Sequence, residues 1–211
     1  MTSAAIFDLN GTLVDDLEFH FRAWRALGER LGKTLDDAFL QSINGLKNED
    51  ILPMIVGRPV DRAELRALEH EKEEHYRTLY RPHLAPVRGA IALIERMKRE
   101  GWKLAIASSA PPENRALVLD SALFRDRFGA VVASEGMPGK PAPDVFLAAA
   151  RALGVTPEEC VVFEDAVNGV RAAVAAKMRV IGITTTVDAA TLRAAGATST
   201  FANFEEVPWP P

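Results

Sequence analysis

The chain has 211 residues, 48% of them hydrophobic, enough to bury the core of one large domain or two modest ones. A net charge of -4 and a pI near 5.6, with the 25 Lys and Arg spread along the chain, exclude nucleic acid as an expected partner and leave a small anionic ligand open. Cys160 is the only cysteine, so no intrachain disulfide can form; it lies in the apolar run Cys160-Val161-Val162-Phe163 and reads as buried packing in a reducing compartment. With no basic leader and no long apolar stretch before the first charge at Asp8, neither a signal peptide nor a membrane span is expected, and the expected location is cytoplasmic.

The first predicted element is a strand over Ala4–Leu9. It runs into Asp8-Leu9-Asn10-Gly11-Thr12, which sets a carboxylate where the apolar run meets a turn. If the chain is still extended there, Asp8 and Asn10 face the same way. The segment from Asp16 to Pro86 contains no convincing strand. Phe19, Ala23, Leu27 and Leu31 recur at helical spacing beside Trp24, Ser42–Val56 fits a shorter helix around Asn48-Glu49-Asp50, and Asp61–Tyr80 is a long, charge-rich helical pattern. These patterns predict a helical subdomain over 16–86, inserted into a unit made of 1–15 and 87–211. Val14-Asp15-Asp16 and Pro82–Pro86 are the expected hinges.

Strands are then predicted over Lys103–Ser108, Ala130–Ser134, Cys160–Glu164 and Arg179–Thr184, and helical patterns over Ala90–Glu100, Asp144–Leu153 and Val167–Lys177. Their alternation predicts βαβ units around a parallel sheet, so the fold class is α/β. Ala197–Phe204 would add a shorter edge strand, and Pro208-Trp209-Pro210-Pro211 reads as a tail that extends no element.

Ligands of open α/β sheets bind beyond the carboxyl ends of the strands. Those ends carry Asp8 and Asn10, then Ser108 and Ser109, then Glu164 and Asp165, while Lys140 adds a cation in the loop Gly136-Met137-Pro138-Gly139-Lys140-Pro141. Taken singly, each has a plain reading. Asp8 could cap a turn, the serines could start a helix before Pro112, and Lys140 could be a solvated loop lysine. Together, three carboxylates, hydroxyls and one lysine are the inventory for binding phosphate and a divalent metal.

These residues match a known pattern, and the chain resembles, over essentially its whole length, the haloacid dehalogenase superfamily of phosphohydrolases. Within it, the chain is most similar to the β-phosphoglucomutase-like branch, which carries a helical cap after its first motif. The matching motifs are Asp8-Leu9-Asn10-Gly11-Thr12, Ser108, Gly139-Lys140-Pro141-Ala142-Pro143-Asp144 and Glu164-Asp165-Ala166-Val167-Asn168-Gly169. The resemblance implies a Rossmann-like parallel sheet with an inserted helical cap. It also implies Asp8 as a nucleophile forming an aspartyl phosphate, with Ser108 and Lys140 gripping phosphoryl oxygens, and Gly11 and Ser109 as further substrate contacts. Mg²⁺ would be held by Asp8, Glu164, Asp165 and the backbone carbonyl of Asn10.

Position 10 departs from the family pattern, which has a second acid there to protonate the leaving oxygen. Asn10 forms hydrogen bonds but has no proton to transfer, and general acid–base help is typically worth ~10²–10⁴-fold. An engineered substitution, a natural variant for substrates needing little protonation, and a protein that binds phosphate esters without processing them all fit this residue. Dehalogenases and phosphonate hydrolases of the superfamily also lack the acid. Retention of Glu164-Asp165 argues against the metal-free dehalogenases, whereas Lys33, Lys47 and Lys72 keep an imine-forming phosphonatase open.

In the cap, Glu18-Phe19-His20-Phe21-Arg22-Ala23-Trp24 resembles the first cap helix of β-phosphoglucomutases, and Lys72 falls where their substrate-binding lysine is expected. By residue type alone His20 reads as a packed core histidine; the resemblance sets a substrate contact beside that reading, and both stay open. Where mutases carry an arginine for the distal phosphate this chain has Asn48, with Lys47 beside it. Ala110-Pro111-Pro112 replaces their polar segment, and Asp16 at the hinge would repel an anion unless it points away. The expectation is therefore a Mg²⁺-dependent phosphatase of a small phosphorylated metabolite, a sugar phosphate first, monomeric or a small homo-oligomer. A mutase with a substituted acid and a phosphometabolite-binding protein are the alternatives.

Overall fold

The computed structural model describes residues 4–43 and 46–211. The chain divides into two compact units, one made of Met1–Asp15 and Ala85–Pro211, the other of Asp16–Leu84. No helix among the described residues is long and apolar enough to cross a membrane.

The chain opens with β1 (Ala4–Phe7), and the inserted unit follows with α1 (Leu17–Arg30), α2 (Asp37–Ser42), α3 (Asn48–Val56) and α4 (Arg62–Tyr80). Phe21, Trp24 and Leu27 of α1 bury against Leu40, Ile51, Leu52, Ile55 and Leu68 from the other three helices, which is the core of this unit. Side-chain caps start two of them. Asp36 accepts from the Phe39 amide at 2.8 Å, and Asp61 from the Ala63 and Glu64 amides at 2.9 Å. A single helix over Ser42–Val56 is not found: Ser42 ends α2, Asn48 begins α3, and Asn44 and Gly45 lie outside the described residues.

The rest of the first unit continues with α5 (Ala90–Arg99), β2 (Lys103–Ser108), α6 (Pro112–Leu119), β3 (Ala130–Ala133), α7 (Asp144–Leu153), β4 (Cys160–Glu164), α8 (Val167–Ala175), β5 (Arg179–Ile183), α9 (Ala189–Ala195) and β6 (Ser199–Phe201). Among the described residues the strands form one six-stranded parallel sheet in the order β3-β2-β1-β4-β5-β6. The central strands β1 and β4 are buried along their whole length, as parallel strands covered by helices on both faces must be. Ile6 and Val162 join the core with Phe146 of α7 and Val170 of α8, while Phe7 and Phe163, one residue on, stack at 4.8 Å. Cys160 is fully buried and free, and burial, with Glu158 and Glu159 nearby, pushes its thiol up to about 11.

Several boundaries differ from the expected ones. β1 stops at Phe7, so Asp8 and Asn10 sit in a turn, closed by the Leu13 amide on the Leu9 carbonyl at 2.9 Å and the Gly11 amide on the Val14 carbonyl at 2.7 Å. The strand over Ala197–Phe204 shrinks to Ser199–Phe201, and α9 is an unexpected helix capped by Asp188. The tail adds no element but is packed, with Trp209 5.7 Å from Trp102 and beneath the Arg96 guanidinium at 4.3 Å.

Candidate active site

The strand order reverses between β1 and β4, the switch point at which such sheets open a crevice beyond their carboxyl ends. Phe7 pairs with Phe163, and the Asp8 amide donates to the Phe163 carbonyl at 3.0 Å, so the residue leaving β1 lies beside Glu164 at the end of β4. Lys140, in the loop leading to α7, donates to Asp8 Oδ1 at 2.6 Å and to Glu164 Oε1 at 2.7 Å, with its ammonium 4.8 Å from the Phe146 ring centre. Burial acts to lower the Lys140 pKa, but the charges of Asp8 and Glu164 outweigh it and raise it above the ordinary lysine value.

Asp165 is buried behind this pair. Thr12 Oγ1 donates to its Oδ1 at 2.7 Å and Thr186 Oγ1 to its Oδ2, while Glu164 Oε2 accepts from the amides of Asp165 and Ala166 at 2.9 Å each. Burial first, then the charges of Glu164 and Asp8, push the Asp165 carboxyl well above the usual range, against the two hydroxyls that favour its ionised form. Gly11 is required here. Its φ is +80°, and a Cβ would overlap the Asp165 carboxyl and come within 2.9 Å of Thr186 Oγ1. Gly169 is excluded from bearing a side chain for a similar reason, since Glu164 lies against it.

Lys140 pairs with Asp8 and Glu164, and both of these charges act on Asp165, so two negative charges remain when all three carboxylates are ionised. Among the described residues no group of three His, Cys, Asp or Glu side chains forms a ready-made metal cage. That donor chemistry fits Mg²⁺, which uses one or two carboxylates together with water and substrate phosphate rather than an all-protein cage. Ser108 is buried at the end of β2, where its Oγ accepts from the Ala110 amide at 3.1 Å; Ser109 is exposed, and Asn10 is half-buried in the turn after β1.

The remaining expected residues lie in the helical unit. Lys72 is buried, with its Nζ 2.8 Å from Glu73 Oε1, 2.8 Å from His20 Nδ1 and 4.7 Å from the centre of the Trp24 ring. Burial acts to raise the Glu73 carboxyl, but the Lys72 and His20 charges and the hydrogen bonds from Lys72 and Asn48 hold it down to about 2. Asn48 donates to Glu69 Oε1 at 3.0 Å and Glu73 Oε1 at 2.8 Å, whereas Lys47 pairs with Glu49 at 3.5 Å. Asp16 is turned inward: it accepts from the Tyr76 hydroxyl and lies 3.6 Å from His20 Nε2, so its charge is absorbed within the unit.

Asp8, Lys140, Glu164 and Asp165 are thus brought together in the first unit with Gly11, while His20, Lys72 and Asn48 share one network in the second. Sequence reasoning missed Thr12, Thr186, Glu69 and Glu73. Thr186 follows β5 and could have been found by extending the strand-end rule to that strand.

The chain matches the model of the haloacid dehalogenase-like hydrolases over residues 2–177. It is 33% identical over 189 residues to a β-phosphoglucomutase of Bacillus subtilis, covering 85% of this chain and 82% of that one. A fructose-1-phosphate phosphatase of Escherichia coli is 32% identical over 185 residues, 84% of this chain and 94% of the relative. Among solved structures, a HAD hydrolase of family IA, variant 3, from Entamoeba histolytica superposes with a TM-score of 0.91 at 28% identity, covering 98% of this chain and 96% of that one. Motif order, sheet topology and these relatives agree, and the chain belongs to the haloacid dehalogenase-like hydrolase family.

Proposed function

We propose that this protein is a Mg²⁺-dependent phosphohydrolase that acts on a small sugar monophosphate through an aspartyl phosphate on Asp8. The observation that carries the reading is the meeting of Asp8, Lys140 and Glu164 at the switch point of the sheet, at 2.6 and 2.7 Å. Asp8 attacks phosphorus, the bond from phosphorus to the sugar oxygen breaks, and the phosphoryl group passes to the carboxylate; water then displaces Asp8 from phosphorus and releases inorganic phosphate. Lys140 and Ser108 hold the phosphoryl oxygens throughout, with Gly11 and Ser109 beside them. Asn10 donates a hydrogen bond to the departing oxygen but moves no proton, so that oxygen takes its proton from water. Asp8, Glu164, Asp165 and the carbonyl of Asn10 would hold Mg²⁺, which when bound would supply charge neutralisation for the phosphoryl group.

The helical unit acts as the cap that chooses the substrate, through His20, Lys72, Lys47 and Asn48. Lys72 is matched to Glu73, and Asn48 donates to Glu69 and Glu73, so a second phosphate would compete with carboxylates already bound to those donors. This supports a monophosphate substrate over the two-phosphate cycle of a mutase. The sugar phosphate class is supported by the names of the mutase and phosphatase relatives.

The test is phosphate release from a panel of sugar mono- and bisphosphates, in Mg²⁺ and in chelator, by this protein and by Asp8→Asn. Metal-dependent release from a monophosphate, lost in Asp8→Asn, is the expected result. Interconversion of β-glucose 1-phosphate and glucose 6-phosphate would favour the mutase. Saturable binding of sugar phosphates without metal-dependent turnover would favour a binding protein.

A further inference from the structure

Three consecutive threonines follow β5, outside every motif that carries the family resemblance, and each is tied to a different part of the first unit. The Thr184 amide donates to the Phe201 carbonyl of β6 at 2.9 Å. Thr185 Oγ1 donates to the Gly11 carbonyl in the turn after β1, and Thr186 Oγ1 donates to Asp165 Oδ2. The loop is therefore anchored to β6 at one end and grips two elements of the candidate site at the other.

Asp165 needs such a grip. The terminal torsion of an aspartate is broad, so the carboxylate plane is set by its hydrogen-bond donors. Here each oxygen has one, Thr12 on Oδ1 at 2.7 Å and Thr186 on Oδ2, and each oxygen keeps a second lone pair. Gly11 fills the remaining space, because a Cβ there would overlap the Asp165 carboxyl and approach Thr186 Oγ1 at 2.9 Å. The contacts run from Thr185 through the Gly11 peptide and from Thr186 through Asp165, and so join the first motif to the fourth.

We propose that Thr185 and Thr186 are positioning residues: they fix the Gly11 peptide and the Asp165 carboxylate so that the free lone pairs of Asp165 face a divalent cation. The inference rests on the metal-dependent phosphohydrolase reading. Donors behind a metal ligand typically change affinity 10–100-fold when removed, whereas hydroxyls that only satisfy a buried acid would alter stability and leave affinity alone.

The experiment is Mn²⁺ titration of the full chain, with free Mn²⁺ read by electron paramagnetic resonance, alongside thermal unfolding in chelator. Thr186→Val should bind Mn²⁺ about 10–100-fold more weakly, Thr186→Ser should restore the affinity, and Thr184→Val should match the unaltered protein. If Thr186→Val does not fold, Thr185→Val carries the test, with a loss of about 10-fold. Unchanged Mn²⁺ affinity in Thr186→Val, or in Thr185→Val where it is the variant that folds, overturns the proposal even if the unfolding temperature falls. Absence of Mn²⁺ binding by the unaltered protein overturns the phosphohydrolase reading itself.

Discussion

Lys140 Nζ stands 2.6 Å from Asp8 Oδ1, and the same ammonium reaches Glu164 Oε1 at 2.7 Å. The proposed nucleophile and a proposed metal ligand thus share one counter-charge. In Lys140→Met, Asp8, Glu164 and Asp165 face one another without it, and removing one partner of a buried pair typically costs about 3–5 kcal/mol. Urea unfolding in chelator should show a loss of about that size, part of which Mg²⁺ should recover. Equal stability of the two proteins in chelator would remove Lys140 from this role.

Asp165 makes the metal-free protein sensitive to pH in the opposite sense from a salt-bridged acid. Its folded pKa lies well above the ordinary value because of burial and the neighbouring Glu164 and Asp8 charges. The native state therefore holds the proton more tightly than the unfolded chain. The stability this lends is present at acid pH and is lost as pH rises from about 3.9 through the raised native value, at ~1.4 kcal/mol for each unit of difference. In chelator, Asp165→Asn should be more stable than the unaltered protein at neutral pH, with the gap closing towards pH 4. Mg²⁺ should stabilise the unaltered protein and do little for the variant. Unfolding curves at several pH values, with and without Mg²⁺, check both halves.

What the sequence made legible follows from burial. β1 and β4 are covered on both faces, so they read as unbroken apolar runs, and the ends of such runs pointed to Asp8 and Glu164. β6 is half-buried and reads Ser199-Thr200-Phe201, and α9 buries Leu192 alone, so neither has a clear periodicity. Thr185 and Thr186 look like ordinary turn residues until their partners, Gly11 and Asp165, are brought beside them by the sheet order. Glu69 and Glu73 lie in a helix that also carries Glu64, Glu71 and Glu74, and composition cannot separate the buried Glu73 from solvated neighbours.

Glu73 lends stability that an exposed glutamate on the same helix would not. Its pKa, held to about 2 against burial mainly by Lys72, is below the unfolded value, so its contribution is present above about 4.3 and is lost as pH falls through 2. Burial lowers the Lys72 pKa even against the charge and hydrogen bond of Glu73, so Glu73→Gln leaves Lys72 to stay charged unpaired or to give up its proton, and should destabilise the protein by about 3 kcal/mol at pH 7. Glu73→Gln with Lys72→Met should recover most of that loss, because the unpaired lysine is gone. A double variant no more stable than Glu73→Gln would contradict this account.

In the proposed reaction, Asn10 sets how much help the leaving group receives. The position follows the proposed nucleophile by two residues, in the turn closed by the Gly11 amide on the Val14 carbonyl at 2.7 Å, and in the proposed reaction an amide there would leave the departing alkoxide of a sugar without an acid. Asn10→Asp changes the chemistry with almost no change in volume, so the turn and the backbone carbonyl at that position should survive. General acid catalysis is worth ~10²–10⁴-fold, and phosphate release from a sugar phosphate should rise by about that factor in the variant. An aryl phosphate needs little protonation as its bond breaks, so its gain should be far smaller. Initial rates on both substrates at saturating Mg²⁺ give the comparison, and equal gains on the two would show that Asn10 limits something other than proton transfer to the leaving group.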